Sequence, residues 1–166
     1  KPLAVGVIDS AFDLENLPDA MGKRFVDCKK QKKCSGLEKL EDDRLSGRSH
    51  GTNVCHIIAG QPPYGVSNRA KIVKLAATAT YSYIQAADEM TSPNIEGESP
   101  ALVNISQYLG ESEITRGALK KMSDKGVLIV ASAGNFFPAP MYKNHQTLEG
   151  IIVGSLAADG QMSGFS

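Results

Sequence analysis

The sequence contains no tryptophan, only three cysteines, and no excess of charge of either sign. Its 18 Lys and Arg residues balance 18 Asp and Glu residues, which gives a formal net charge of +0 at pH 7 with neutral histidines. A balanced chain gives no electrostatic reason to expect a nucleic acid or an anionic membrane surface as a partner. No apolar run approaches the roughly 20 residues that a membrane-spanning helix requires. Neither nucleic acid nor a membrane is therefore expected as a partner.

The length and the apolar content fit one globular domain, or most of one. With 166 residues and a hydrophobic fraction of 42%, the chain can build a substantial core. Buried-strand and helix patterns alternate along it. The predicted strands are 3–8, 71–76, 101–106, 127–132 and 151–155, with a short additional strand at 24–27, and the predicted helices are 49–60, 82–90 and 113–125. This alternation predicts an α/β fold with a parallel sheet flanked by helices on both faces.

Three polar residues stand at the ends of these elements. Asp9 ends the first strand, His50 falls in the first turn of a helix for which Ser49 is the expected N-cap, and Asn135 follows the strand at 127–132. Ligands bind beyond the carboxyl ends of parallel strands. A histidine at a helix N-terminus is held neutral by the macrodipole and can accept a proton. Taken singly, an aspartate at a strand end or an asparagine after Ala-Gly is more often a simple turn former, and a histidine at a helix start is more often a cap.

Five segments carry a resemblance to the subtilisin-like serine proteases, over essentially the whole chain: VGVIDS, SHGTNVCHIIAG, LVNISQYLG, VLIVASAGN and GIIVGSLAADGQMSGFS. The resemblance implies a subtilisin-like parallel sheet and hydrolysis of peptide bonds by an Asp/His/Ser triad. Asp9 would be the triad carboxylate, His50 the general base and Asn135 the oxyanion donor. The substrate-binding residues that it implies are Ser106, Gln107, Tyr108, Ala133 and Gly134.

The chain departs from the family pattern at several positions outside the triad. Ala11 stands where the family usually has glycine, and Asn53 stands where it has a second histidine. Cys55 and His56 replace an Ala-Gly pair, and His56 is interpreted as structural. The connection at 61–64 is too short for the family's first calcium site, which is therefore predicted to be absent. No metal ion and no cofactor are expected.

The nucleophile of the family lies in a GTS motif, and this sequence contains none. The favoured hypothesis is that residues 1–166 form the N-terminal portion of a single peptidase domain. The catalytic serine would then lie on a C-terminal part that either is a separate companion chain or lies outside these residues. That part would also cover apolar strand surface, and the substrate would be a peptide or protein. A second hypothesis is a non-catalytic pseudoprotease that binds peptides or regulates a partner. A third is a flavodoxin-like small-ligand binder with accidental motif matches.

The cysteines leave the compartment open. Cys28 and Cys34 enclose five residues and could form a disulfide, whereas reduced thiols are the default in the cytosol. A secreted or periplasmic location is expected, and mass spectrometry of the unreduced peptide would distinguish the two redox states.

Overall fold

The computed structural model describes residues 2–9, 12, 48–60, 63, 65–67, 69–77, 83–93, 97–139 and 143–166. The short strand predicted at 24–27, the Cys28–Cys34 pair and Ala11 lie outside the described residues. The redox state of these two cysteines therefore stays open.

The described residues form a five-stranded sheet in which every neighbouring pair of strands is parallel. Its strands are β1 (Leu3–Asp9), β2 (Ala70–Ala77), β3 (Leu102–Ile105), β4 (Leu128–Ser132) and β5 (Gly150–Val153). The order across the sheet is β2-β1-β3-β4-β5. After β1, the chain adds β2 on one side of it and then adds β3, β4 and β5 in turn on the other side. The predicted α/β class with a parallel sheet is confirmed.

The described helices are α1 (Arg48–Ala59), α2 (Tyr83–Thr91), α3 (Glu113–Asp124) and the short α4 (Lys143–Gln146). The prediction that Ser49 is the N-cap of α1 was wrong, because the helix already includes Arg48. His50 nevertheless stays in the first turn. At the end of α3, Gly126 adopts a φ of +78°, which favours glycine and explains why the helix stops there. α4 was not predicted, since four residues are too few to show a helical period.

Helices pack on both faces of the sheet, as predicted. On β1, Val5 and Val7 contribute to one buried cluster together with Cys55 and Ala59 of α1. Ile8 points to the opposite face, where the cluster includes buried side chains of α2 and α3. Successive side chains of a strand face opposite sides of the sheet, so an apolar run such as 5–8 requires cover on both.

One face of β4 and β5 carries exposed apolar side chains. The cluster formed with α2 and α3 includes Ile129 and Ala131, and Ile152 packs against it. The residues alternating with them, Leu128, Ile151 and Val153, are each between 43% and 52% exposed. We call these three residues the open apolar face.

Gly150 provides a sharp test of the packing between β4 and β5. An added Cβ there would lie 2.5 Å from the carbonyl oxygen of Ile129, its partner in the ladder. We expect Gly150→Ala to lower the free energy of unfolding by about 1–3 kcal/mol, as overpacking does.

The control is Gly117→Ala in α3, where an added Cβ meets no heavy atom within 4 Å. It should raise stability by roughly 0.5–1 kcal/mol. Urea unfolding followed by circular dichroism measures both, and equal effects would contradict the packing of this strand pair.

His145 of α4 is a buried ionisable group outside the predicted site. Burial lowers the pKa of its imidazole below the ordinary value of 6.5, and a backbone hydrogen bond with Ser132 partly opposes that shift. The folded protein therefore binds a proton at His145 less readily than the unfolded chain does. Folding stability from this group is complete above pH 6.5 and is lost as the pH falls below that value.

We expect the free energy of unfolding to fall between pH 7 and pH 5, and His145→Gln to flatten this dependence by removing the titrating group. Gly117→Ala, which changes no titrating group, is the control and should leave the slope unchanged. Urea titrations at several pH values measure the slope. An unchanged slope in His145→Gln would refute the assignment.

Candidate active site

Asp9 and His50 form a hydrogen-bonded pair at the carboxyl end of β1. The His50 Nδ1 donates to Asp9 Oδ1 across 2.8 Å, although the residues are 41 positions apart in the chain. The Asp9 side chain is 0% exposed, whereas that of His50 is 56% exposed. A carboxylate held against one ring nitrogen fixes the tautomer and directs the other nitrogen, Nε2, away from it. The pair can therefore present an oriented base to an outside group.

The pair is positioned by the packing of α1 on β1. Cys55 and Ala59 of α1 are fully buried against the face of β1 that carries Val5 and Val7. This contact leaves the first turn of α1, with His50, beside the end of the strand. Burial raises the pKa of the Cys55 thiol well above its ordinary value, and the nearby Asp9 carboxylate adds to the rise. Cys55 is therefore an unreactive packing group.

The segment Ser106–Tyr108 follows β3, which lies next to β1 in the sheet. Asn104 Nδ2 donates to Ser106 Oγ at 2.9 Å, and the Tyr83 hydroxyl donates to the Tyr108 carbonyl at 3.1 Å. Strand order reverses between β1 and β3, and such switch points are where open parallel sheets bind ligands. The predicted substrate segment therefore follows the strand next to β1, at the same switch point as the Asp9–His50 pair.

The segment from Ala133 to Asn135 follows β4 on the far side of β3. The Ala133 amide donates to the Val153 carbonyl at 2.9 Å, and Gly134 adopts a φ of +95°, a conformation that other residues rarely adopt. Asn135 is exposed immediately after this turn. The structure therefore places the predicted site residues at the carboxyl ends of three adjacent strands. Asp9, bonded to His50 of α1, ends β1, and the other two segments follow β3 and β4.

Two aromatic residues that the sequence analysis did not single out also belong to this edge. Phe136 makes an edge-to-face contact with Tyr108, with ring centroids 6.0 Å apart and ring planes at 72°. This contact joins the segments that follow β3 and β4. Tyr83 supports the β3 segment from within the core. Phe136 could have been noticed as the neighbour of Asn135, whereas Tyr83 carried no signal beyond the apolar period of its helix.

The part of the chain that the structure describes contains no group of three or more His, Cys, Asp or Glu side chains that could hold a metal ion. In the same residues, no helix has the length and apolar character needed to cross a membrane. A cavity of about 320 Å³ lies beside α3, but neither Asp9, His50 nor Asn135 lines it. The absence of a calcium site stays a prediction.

The fold and the site define an α/β protein with a carboxylate–imidazole pair at the switch point of a parallel sheet. The chain belongs to the subtilase family, whose sequence profile matches residues 1–166. It is 28% identical over 115 residues to "Subtilisin-like protease 3" of Plasmodium falciparum (isolate 3D7), a match covering 64% of this chain and 14% of that protein.

Solved structures show the same fold. A cold adapted subtilisin-like serine proteinase is 23% identical, with a TM-score of 0.66 over 99% of this chain and 58% of that one. Prenylagaramide maturation protease PagA is 20% identical, with a TM-score of 0.67 over 100% of this chain and 58% of that one. The chain thus spans 14% of the length of the Plasmodium falciparum protein and somewhat more than half of the length of these two solved structures.

Proposed function

We propose that the protein containing this chain is a serine endopeptidase in which His50 is the general base and Asp9 orients it. The observation that carries the proposal is the 2.8 Å hydrogen bond from His50 Nδ1 to the buried Asp9 carboxylate. Family membership and the subtilisin-like fold support the same reaction class. A structural ion pair would not require the histidine to remain more than half exposed at the switch point of the sheet.

Each residue has a definite part in this mechanism. A serine hydroxyl is a weak nucleophile at neutral pH, so His50 Nε2 accepts its proton during attack and returns that proton to the leaving amine. Asp9 keeps the proton of the resting imidazole on Nδ1 and stabilises the imidazolium that forms. The Asn135 side chain donates a hydrogen bond to the carbonyl oxygen as it becomes negatively charged.

The substrate in this proposal is an extended peptide or protein segment. The backbone of Ser106–Tyr108 pairs with it, because this segment continues beyond the last ladder residue of β3 and lies between the strands that end in Asp9 and Ser132. Ala133 and Gly134 form the opposite border. A location outside the cytosol, secreted or periplasmic, belongs to the same proposal.

The nucleophilic serine in this proposal lies outside residues 1–166, on a C-terminal companion chain. Two observations support it. The sequence contains no GTS motif, in which the nucleophile of the family lies. In addition, the open apolar face of Leu128, Ile151 and Val153 exposes the kind of surface that soluble proteins usually cover. The companion chain packs on this face.

Replacing either proposed catalytic side chain should lower activity without unfolding the protein. We expect His50→Ala to lower kcat for peptide hydrolysis by about 10⁶-fold and Asp9→Asn by about 10⁴-fold, the values known for subtilisin, a member of this family. His56→Ala, on the same helix, is the control and should keep its activity. Peptide hydrolysis and circular dichroism of each variant make the test. Folded variants with wild-type activity would refute the triad, and retained peptide binding without any hydrolysis in wild type would favour a pseudoprotease.

The companion chain can be tested with a fluorophosphonate probe applied to the complete protein. We expect the probe to label a serine outside Lys1–Ser166. Ile151→Asp should abolish labelling, because a charge on the open apolar face would be buried without a partner. Ile114→Asp, at a similarly exposed isoleucine of α3, should leave labelling intact. Peptide mapping locates the label, and labelling of any serine between Ser10 and Ser166 would overturn the assignment.

A further inference from the structure

The cavity of about 320 Å³ beside α3 is separate from the Asp9–His50 pair. One side of it is a single face of α3 that includes Gly117, and the other side is formed by residues between 144 and 149. We call it the α3 cavity. Pockets that hold small ligands begin at about 300 Å³. The volume of the α3 cavity therefore admits a small molecule or one side chain of a larger partner.

Gly117 stands in the middle of α3 and lines this cavity. A glycine in a helix interior is less favourable than alanine by about 0.5–1 kcal/mol. An added Cβ at Gly117 would meet no heavy atom within 4 Å, so none of the described residues packs closely enough to require glycine there. The missing side chain instead leaves this part of the cavity clear. A bound ligand can therefore approach the backbone of α3 at this point.

Asn144 is the buried polar side chain of the lining, with 2% of its surface exposed. Its Nδ2 donates to the carbonyl oxygens of Gly110 and Ser112, at 3.0 and 3.2 Å, and these two bonds fix the orientation of the amide. Among the described residues, no group donates to its Oδ1. A buried acceptor without a donor costs about 1–3 kcal/mol, and native structures rarely contain one. A ligand that brings a donor to Oδ1 would remove this cost.

The charges around the α3 cavity are not balanced. Arg116 pairs with Glu113, and Lys120 pairs with Asp124. The Glu149 carboxylate makes no salt bridge with any residue that the structure describes. Asp124 raises the pKa of Lys120 most, and Glu149 adds only a smaller part of that rise. One negative charge and one acceptor without a donor therefore belong to the same lining, which favours a cation that donates hydrogen bonds.

The apolar part of the lining and the single amide oxygen narrow the kind of cation. Leu119 and Leu148 line the cavity and can pack against an alkyl chain. A guanidinium presents a flat fork of donors that suits paired acceptors, whereas an ammonium is a compact charge with three donors. Asn144 offers one oxygen, so the ammonium fits this cavity better.

We propose that the α3 cavity binds a primary alkylammonium group, carried by a free amine or by a lysine side chain of another protein. The ammonium donates to Asn144 Oδ1 and is attracted by the Glu149 carboxylate, while its alkyl chain passes over Gly117. This site is distinct from the proposed peptidase site, and the inference does not depend on that function.

The test titrates the complete ¹⁵N-labelled protein with pentylamine and with Nα-acetyl-lysine amide. We expect both probes to shift the NMR signals of the Asn144 side-chain amide and of the α3 backbone. Nα-acetyl-norleucine amide, which lacks only the ammonium group of the lysine probe, should bind at least about tenfold more weakly, because the charged hydrogen bond is lost. Tighter binding of the lysine probe than of pentylamine identifies a protein lysine as the ligand, and the reverse identifies a free amine.

Variants of the lining locate the site. Gly117→Leu should weaken the binding of both amines by at least about tenfold, because its side chain fills space that the alkyl chain needs. Glu149→Gln should weaken it by roughly two- to fivefold, the effect of one solvent-exposed ion pair. Asp159→Asn removes an exposed carboxylate from the turn after β5. It is the matched control and should leave the affinity unchanged.

Three results would overturn the proposal: no binding of either amine, equal binding of the norleucine derivative, or full affinity in Glu149→Gln. In each case a water molecule would be the partner of Asn144 Oδ1. Circular dichroism checks the fold of each variant. If Gly117→Leu does not fold, the norleucine comparison and Glu149→Gln still decide. Peptide hydrolysis is not part of the readout, so failure of the peptidase function leaves this test intact.

Discussion

The burial of Asp9 is the constraint on which the rest of the site depends. A carboxylate without exposed surface is costly unless it is hydrogen-bonded, and a partner comes from α1, 41 residues further along the chain. The bond does not itself hold α1 in place. That is done by the apolar contact of Cys55 and Ala59 with β1. A slip of α1 by one helical turn would move His50 by about 5.4 Å. The packing of α1 in the core therefore also sets the geometry of the Asp9–His50 pair.

The order of the strands turns this pair into part of a wider site. Because β1 lies between β2 and β3, the strand order reverses between β1 and β3, and open parallel sheets bind ligands at such switch points. Ser106–Tyr108 then lies between the Asp9–His50 pair and the segment that contains Asn135. The contact between Tyr108 and Phe136 joins the last two, so that the proposed base, the proposed substrate segment and the proposed oxyanion segment lie at the same end of the sheet.

Most of the elements were predictable from the sequence because their signals are local. A continuous apolar run such as 3–8 indicates a strand buried on both faces, and the apolar period of 49–60 indicates a helix. Asp9 and His50 could be singled out because one ends such a run and the other begins such a helix. The sequence pattern did not predict α4, because four residues are too few to show a helical period. It also misplaced the start of α1, which begins at Arg48 and not after Ser49.

The sequence by itself therefore determined the class of fold, the order of its elements and the residues with the chemistry for a site. Only the tertiary structure decided which of them meet. The bond from Tyr83 to Tyr108 joins residues 25 positions apart, and the exposure of Ile151 follows from which helices cover β5. No local pattern encodes such contacts, because they depend on the paths between strands and on the packing of side chains distant in the chain.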